Sequence, residues 1–120
     1  MLSLTHVVIA VVAVVPIEYE IDCSTWPGKA GEFAVRLVAR DGTALNVEIE
    51  ATDDTTPRQV RNLIKNGIRG NGDWTFTLVG DDRLRVSGVK SPLRAVEVKS
   101  PGWVPGVRVV VVPPKPADKK

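Results

Sequence analysis

Cysteine and histidine are nearly missing from this 120-residue sequence, which holds one of each, Cys23 and His6. A single cysteine forms no internal disulfide, so the fold must rest on a buried core, and cysteine usage leaves the redox compartment open. Zinc sites of the usual kind need several Cys or His ligands, which excludes them here. The sequence has no phosphate-binding loop, dinucleotide fingerprint or nucleophile elbow, and the Asp-x-Asp-x-Asp-Gly pattern of a calcium loop is missing too. No internal repeat of solenoid period is present. The apolar run Val7–Val15 falls well short of the roughly 20 residues that a membrane-spanning helix needs.

What remains is an ordinary globular composition, 43% hydrophobic and 25% charged, in a length that suits one domain. Valine dominates the apolar set, and β-branched side chains favour the pleated surface of a sheet. The net charge of +2 says little about partners, but its distribution is uneven. Residues 1–56 carry nine acids and three bases, whereas residues 57–120 carry five acids and thirteen bases. Such a split marks either an anionic partner or two halves that pair with each other inside one fold.

The chain divides into three parts. Residues 1–16 form an apolar N-terminal segment, residues 17–112 an α+β domain, and residues 113–120 a proline- and lysine-rich tail expected to be disordered. Val7–Val15 fits two readings, the apolar stretch of a secretory signal peptide or a buried strand. The first places export ahead of a cytoplasmic location.

Within the domain, Ile17, Tyr19, Ile21 and Cys23 alternate with acids, the period of a strand with one wet face. Trp26-Pro27-Gly28 breaks it. Phe33, Val35 and Leu37 answer Leu45, Val47 and Ile49 across a turn. Side chains on one face must pair odd with odd. The loop is therefore Arg40 to Gly42, with Gly42 left-handed, in preference to a two-residue Asp41-Gly42 turn. Thr56-Pro57-Arg58-Gln59 opens a helix with a capping box, Val60, Leu63, Ile64 and Ile68 share its apolar face, and Gly70-Asn71-Gly72 stops it. A second hairpin sets Trp74, Phe76 and Leu78 against Leu84 and Val86 around Gly80-Asp81-Asp82. A short strand follows at Ala95–Val98, and Val107–Val112 reads as a strand of the buried kind. The predicted fold class is α+β: a mainly antiparallel sheet crossed by one amphipathic helix, with a strand-strand-helix-strand-strand core and extra terminal strands.

That order resembles two known patterns. Asp53-Asp54-Thr55-Thr56, then Val60, Ile64 and Ile68, then Arg83-Leu84-Arg85-Val86-Ser87-Gly88, is similar to the flagellin hook IN motif of secreted, filament-associated modules. The same order over residues 32–88 also resembles the ubiquitin-like β-grasp. The first resemblance implies an extracellular or assembly-type structural module, and the second implies a protein-binding module. The C-terminal Gly-Gly of ubiquitin-type conjugation is missing, and the helix is more basic and less alanine-rich than is usual for the hook motif. Neither resemblance transfers a functional residue.

No catalytic, metal-binding or cofactor-binding set emerges. His6 has no fixed partner. The strand neighbours of Cys23 are acidic, which works against a thiolate. Asp53-Asp54 and Asp81-Asp82 read as turn and capping chemistry. The sharpest feature is a basic helix stripe, Arg58, Arg61, Lys65 and Arg69, expected opposite the apolar face, with Arg83 and Arg85 adding charge on the second hairpin. Trp26 and Trp103, in proline-glycine turns, are candidate exposed anchors. These eight residues are the candidate partner-binding set. The expected function is a non-enzymatic structural or interaction module, with a protein partner or self-assembly. The alternative is an intracellular binding module that sets the basic helix face against an acidic protein or a nucleic acid.

Overall fold

Two hairpins and the helix between them form as the side-chain parity demands. In a computed structural model, which describes residues 18–102 and 105–112, the order is β1 (Glu18–Asp22), β2 (Gly31–Ala39), β3 (Ala44–Ala51), α1 (Pro57–Ile68), β4 (Trp74–Val79), β5 (Arg83–Gly88), β6 (Leu93–Lys99) and β7 (Arg108–Val112). The readings of residues 1–16, of Trp103 and of the 113–120 tail lie outside the described residues.

The β2–β3 register opposes Leu37 to Leu45 and Val35 to Val47, and the Ala39 N–H donates to the Thr43 carbonyl to close the Arg40–Gly42 loop. Gly42 sits at φ 93°, a conformation that only glycine adopts readily. In the second hairpin Phe76 opposes Val86 and Leu78 opposes Leu84, leaving Gly80–Asp82 as the loop. Helix α1 starts on a capping box in which Thr56 Oγ1 accepts from the Gln59 N–H and Gln59 Oε1 accepts from the Thr56 N–H.

All described strand pairs are antiparallel, and the strands divide between two sheets, β4-β5-β1-β7 and β3-β2-β6. Ile21, Leu84 and Val86 from the first, Val35, Leu37 and Ile49 from the second, and Val60, Ile64 and Ile68 from the helix share one core. Helix α1 lies against β3 and reaches β4 and β5, so it closes one side between the sheets, while β6 and β7 approach each other on the opposite side. At Gly67 the helix comes so near β3 that a methyl group there would overlap the buried Val47 side chain. That close approach accounts for a glycine inside a helix, where it is otherwise unfavourable by roughly 0.5–1 kcal/mol.

The C-terminal strands depart from the sequence reading. β6 is longer than Ala95–Val98, and its register with β2 skips Arg94, a β-bulge. The bulged Arg94 carbonyl accepts from the Tyr19 hydroxyl at 2.7 Å, which pins one sheet to the other. Val107–Val112 is not a strand of the buried kind. β7 begins at Arg108, pairs only with β1, and leaves Val110 and Val111 each 53% exposed. A strand at the end of a sheet has one neighbour, so an apolar sequence does not bury it.

Candidate functional site

The helix stripe does not exist as one solvated surface. Arg61 is buried, at 6% exposure. One terminal nitrogen of its guanidinium donates to the Gly80 carbonyl at 3.0 Å and to the Arg83 carbonyl at 3.4 Å, and Nε donates to Asn62 Oδ1 at 3.0 Å. The sequence carried this signal. At 100° per residue Arg61 lies only about 20° around the helix from Ile68, within the edge of the buried arc. Grouping Arg61 with the other cations hid that. Because α1 leans on the β4–β5 hairpin, the arc turns Arg61 onto the loop end of that hairpin, where its guanidinium meets the carbonyls of Gly80 and of Arg83, the first residue of β5.

Arg58, one turn earlier, pairs with Asp81 of the same loop at 3.1 Å, with both side chains well exposed. Arg69 is the C-cap, with ψ 139°, and so leaves the helical stripe. Lys65, in the last turn, complements the negative end of the helix dipole. Arg58 and Arg61 therefore fasten the helix to a loop, and Lys65 and Arg69 form the remaining basic end.

Arg83 and Arg85 do share one side of the hairpin, as expected, and both face the acids of β1. Arg85 Nε donates to Glu20 at 3.1 Å, and Arg83 reaches Glu20 at 3.3 Å and Asp82 at 3.8 Å. On the other flank of β1, Arg108 pairs with Asp22 at 3.3 Å. Glu20 and Asp22 are left only 13% and 14% exposed beneath these guanidinium groups. Partial burial pulls the Asp22 carboxyl upward. Hydrogen bonds from the Ser24 side chain and backbone, together with Arg108, outweigh that pull and hold it below the ordinary aspartate value. These pairs join the acidic half of the chain to the basic half, so the uneven charge is at least partly internal.

Cys23 is fully buried beside this ladder. Burial pushes its thiol up to about 12, and the neighbouring Asp22 and Asp82 charges push the same way. A thiol so held is no nucleophile near neutral pH. Trp26 is not an exposed anchor. It is 6% exposed, its indole N–H donates to the Thr55 carbonyl at 2.9 Å, and its ring lies 5.8 Å from that of Phe33. The turn that holds Trp26 folds back over the end of the core, which a proline-glycine pattern does not reveal. Asp53 Oδ1 accepts from the Ala30 N–H instead of capping α1, and Asp41 takes the Thr43 N–H within the Arg40–Gly42 turn.

Alternation places Glu48 and Glu50 on the outer face of the second sheet, but sequence reasoning missed what stands opposite them. Glu32 and Glu50 stand directly opposite each other, and Glu48 opposes Ala34. With Lys99 and Pro101 they line a shallow depression of about 450 Å³. Among the described residues no ion pair joins Glu48 or Glu50 to the helix. Among the described residues, too, no three His, Cys, Asp or Glu side chains gather as metal ligands, and no helix is long and apolar enough to cross a membrane.

Comparison with known proteins yields no match to a family model, to a curated protein or to a solved structure.

Proposed function

We propose that the chain is a non-catalytic structural or interaction module, exported or part of a surface assembly. The observation that carries this reading is where the polar chemistry goes. Arg61, Glu20, Asp22, Arg83, Arg85 and Arg108 hold one element to another, and the thiol of Cys23 is sealed in the core. Acid–base or nucleophilic catalysis needs titratable groups that converge on an open site. Here the open surface is of another kind: a valine-rich edge strand, the basic end of a helix and an acidic sheet face. The strand-strand-helix-strand-strand order, similar to that of assembly-type modules, supports the same reading.

The test is chemical cross-linking of the chain in its native host followed by mass spectrometry. We expect stoichiometric cross-links from surface lysines such as Lys65, Lys90 and Lys99 to a protein, either another copy or a partner. Recovery of the chain only as an uncross-linked monomer would overturn the reading. The export component rests on residues 1–16 and is tested separately by intact mass. A deficit of roughly the first 15–20 residues is expected, and a full-length mass would remove export.

A second reading sets the basic end of α1 against an acidic partner. Lys65 and Arg69 are the residues left to it. Binding that weakens steeply with salt, and that the paired change Lys65→Glu, Arg69→Glu abolishes, would favour it.

A further inference from the structure

We infer that β7 is a self-association edge, whose open side pairs antiparallel with β7 of a second copy of this chain about a two-fold axis at Val110. The inference rests on the reading of the chain as an interaction module and names the partner for one of its surfaces.

Open edges invite pairing, and proteins usually blunt them with charges, bulges, prolines or a covering element. The four edges of the two described sheets differ in their surroundings. β3 lies against α1, and β4 borders the same helix. β6 has the Arg94 bulge and the charged residues Glu97 and Lys99. Among the described residues, β7 has no bulge and no element paired on its outer side. Its pairing with β1 runs from Arg108 to Val112 without interruption, four of its five residues are valine, and it contains no proline and no charge beyond Arg108. Val110 faces outward with Glu20, and Val111 faces inward with Tyr19, yet both are half exposed, so solvent reaches the edge from both faces. β6 approaches β7 from the other sheet but forms its ladder with β2.

The sequence of β7 suits pairing with itself. An antiparallel two-fold at Val110 sets Val110 against Val110, Val109 against Val111, and Arg108 against Val112. This register keeps inward residues opposite inward ones and pairs all five positions, and it never opposes two arginines. β-branched pairs across strands are stabilising. Each Arg108 is already engaged by Asp22 of its own chain, so no unpaired charge is brought to the axis. The pairing would join two four-stranded sheets edge to edge through an isologous contact of the kind most homodimers use.

Sedimentation equilibrium of the full chain, from about 1 μM to about 1 mM, tests this across the range where a weak dimer forms. A reversible monomer–dimer equilibrium is expected. Val110→Lys sets two ammonium groups face to face at the axis and should weaken it by about a hundredfold or more. Val110→Ile should preserve it. Val110 is outward and half exposed, so thermal melting of the lysine variant at low concentration shows that the fold is intact. A chain monomeric throughout, or a dimer indifferent to Val110→Lys, overturns the β7 pairing. Either result leaves the interaction-module reading to the cross-linking experiment, which can fail independently.

Discussion

The two sheets meet in one core but hold themselves together in opposite ways. On the outer face of β4-β5-β1-β7 an acidic strand lies between two strands that supply arginines, so Glu20 and Asp22 each find an opposite charge in register. On the outer face of β3-β2-β6, Glu32 stands against Glu50, and Lys99 turns to Glu97. The first sheet is knit by charge and tied to the helix by a buried arginine. The second is held to the helix by close steric contact at Gly67 and tolerates like charges on its outer face. Charge matching between neighbouring strands thus contributes to the integrity of the first sheet, whereas in the second the β2–β3 register sets two acids face to face.

The largest test of this difference is removal of the arginine tie. Arg61→Ala deletes the donor to the Gly80 and Arg83 carbonyls, and hydrogen bonds to a charged group contribute about 1.5–3 kcal/mol with a further cost for an acceptor left buried. A loss of about 3 kcal/mol is expected in urea denaturation, and Arg61→Lys should recover only part of it because a lysine has no second donor in place of the Nε that reaches Asn62. The corresponding test of the second sheet is Gly67→Ala. At an open helical site this change stabilises by about 0.4–1 kcal/mol, but overlap with Val47 should reverse the sign to a loss of about 1–3 kcal/mol. A stabilised Gly67→Ala protein would show that steric closeness is not what seats α1 on β3.

Smaller effects probe the two charge patterns directly. Glu20→Gln should destabilise by about 1–2 kcal/mol, since it weakens two charge-assisted contacts. Asp22 adds a pH signature. Its folded-state carboxyl lies below the ordinary value, so its contribution is fully present above the unfolded-state aspartate range and is lost as pH falls through the lowered folded value. Stability of Asp22→Asn should therefore decline less steeply on acidification than that of the parent, as measured by denaturation midpoints across the acid range. The smallest effect carries the opposite sign: Glu50→Gln relieves the repulsion from Glu32 and should stabilise by about 0.2–1 kcal/mol. If Glu20→Gln and Glu50→Gln shift stability in the same direction, the contrast between the sheets fails.

Much of the local structure was legible. Parity alone selected the Arg40–Gly42 loop over the two-residue turn, since one residue of slip would have moved a whole apolar set to the wrong face. The capping box, the helix stop before Gly70-Asn71-Gly72 and the three-residue Gly80–Asp82 loop were readable because each depends on residues close in sequence. The candidate site was far less legible. Of eight candidate residues, Arg61 and Trp26 proved buried, Arg83 and Arg85 are paired with Glu20, Arg58 is paired with Asp81, and Trp103 lies outside the described residues. Among the described residues, Lys65 and Arg69 form no ion pair. Each departure arises from a neighbour distant in sequence, such as the Gly80 carbonyl for Arg61 or the Thr55 carbonyl for Trp26.

By itself, then, the amino-acid sequence determined the elements, their boundaries to within a residue or two in the two hairpins and the helix, and the α+β class. Those features follow from periodicity, turn chemistry and capping, which act over a few residues. Tertiary structure alone decided which strands became neighbours, and with that the fate of the charges and of β7. Glu20 meets Arg83 and Arg85 because β1 pairs with β5, Asp22 meets Arg108 because β1 pairs with β7, and Glu50 faces Glu32 because β3 pairs with β2. Val110 and Val111 face water because β7 was placed last in its sheet. Strand order is set by the packing of one shared core, so the same valine run buried between two strands or laid at an edge reads identically in the chain.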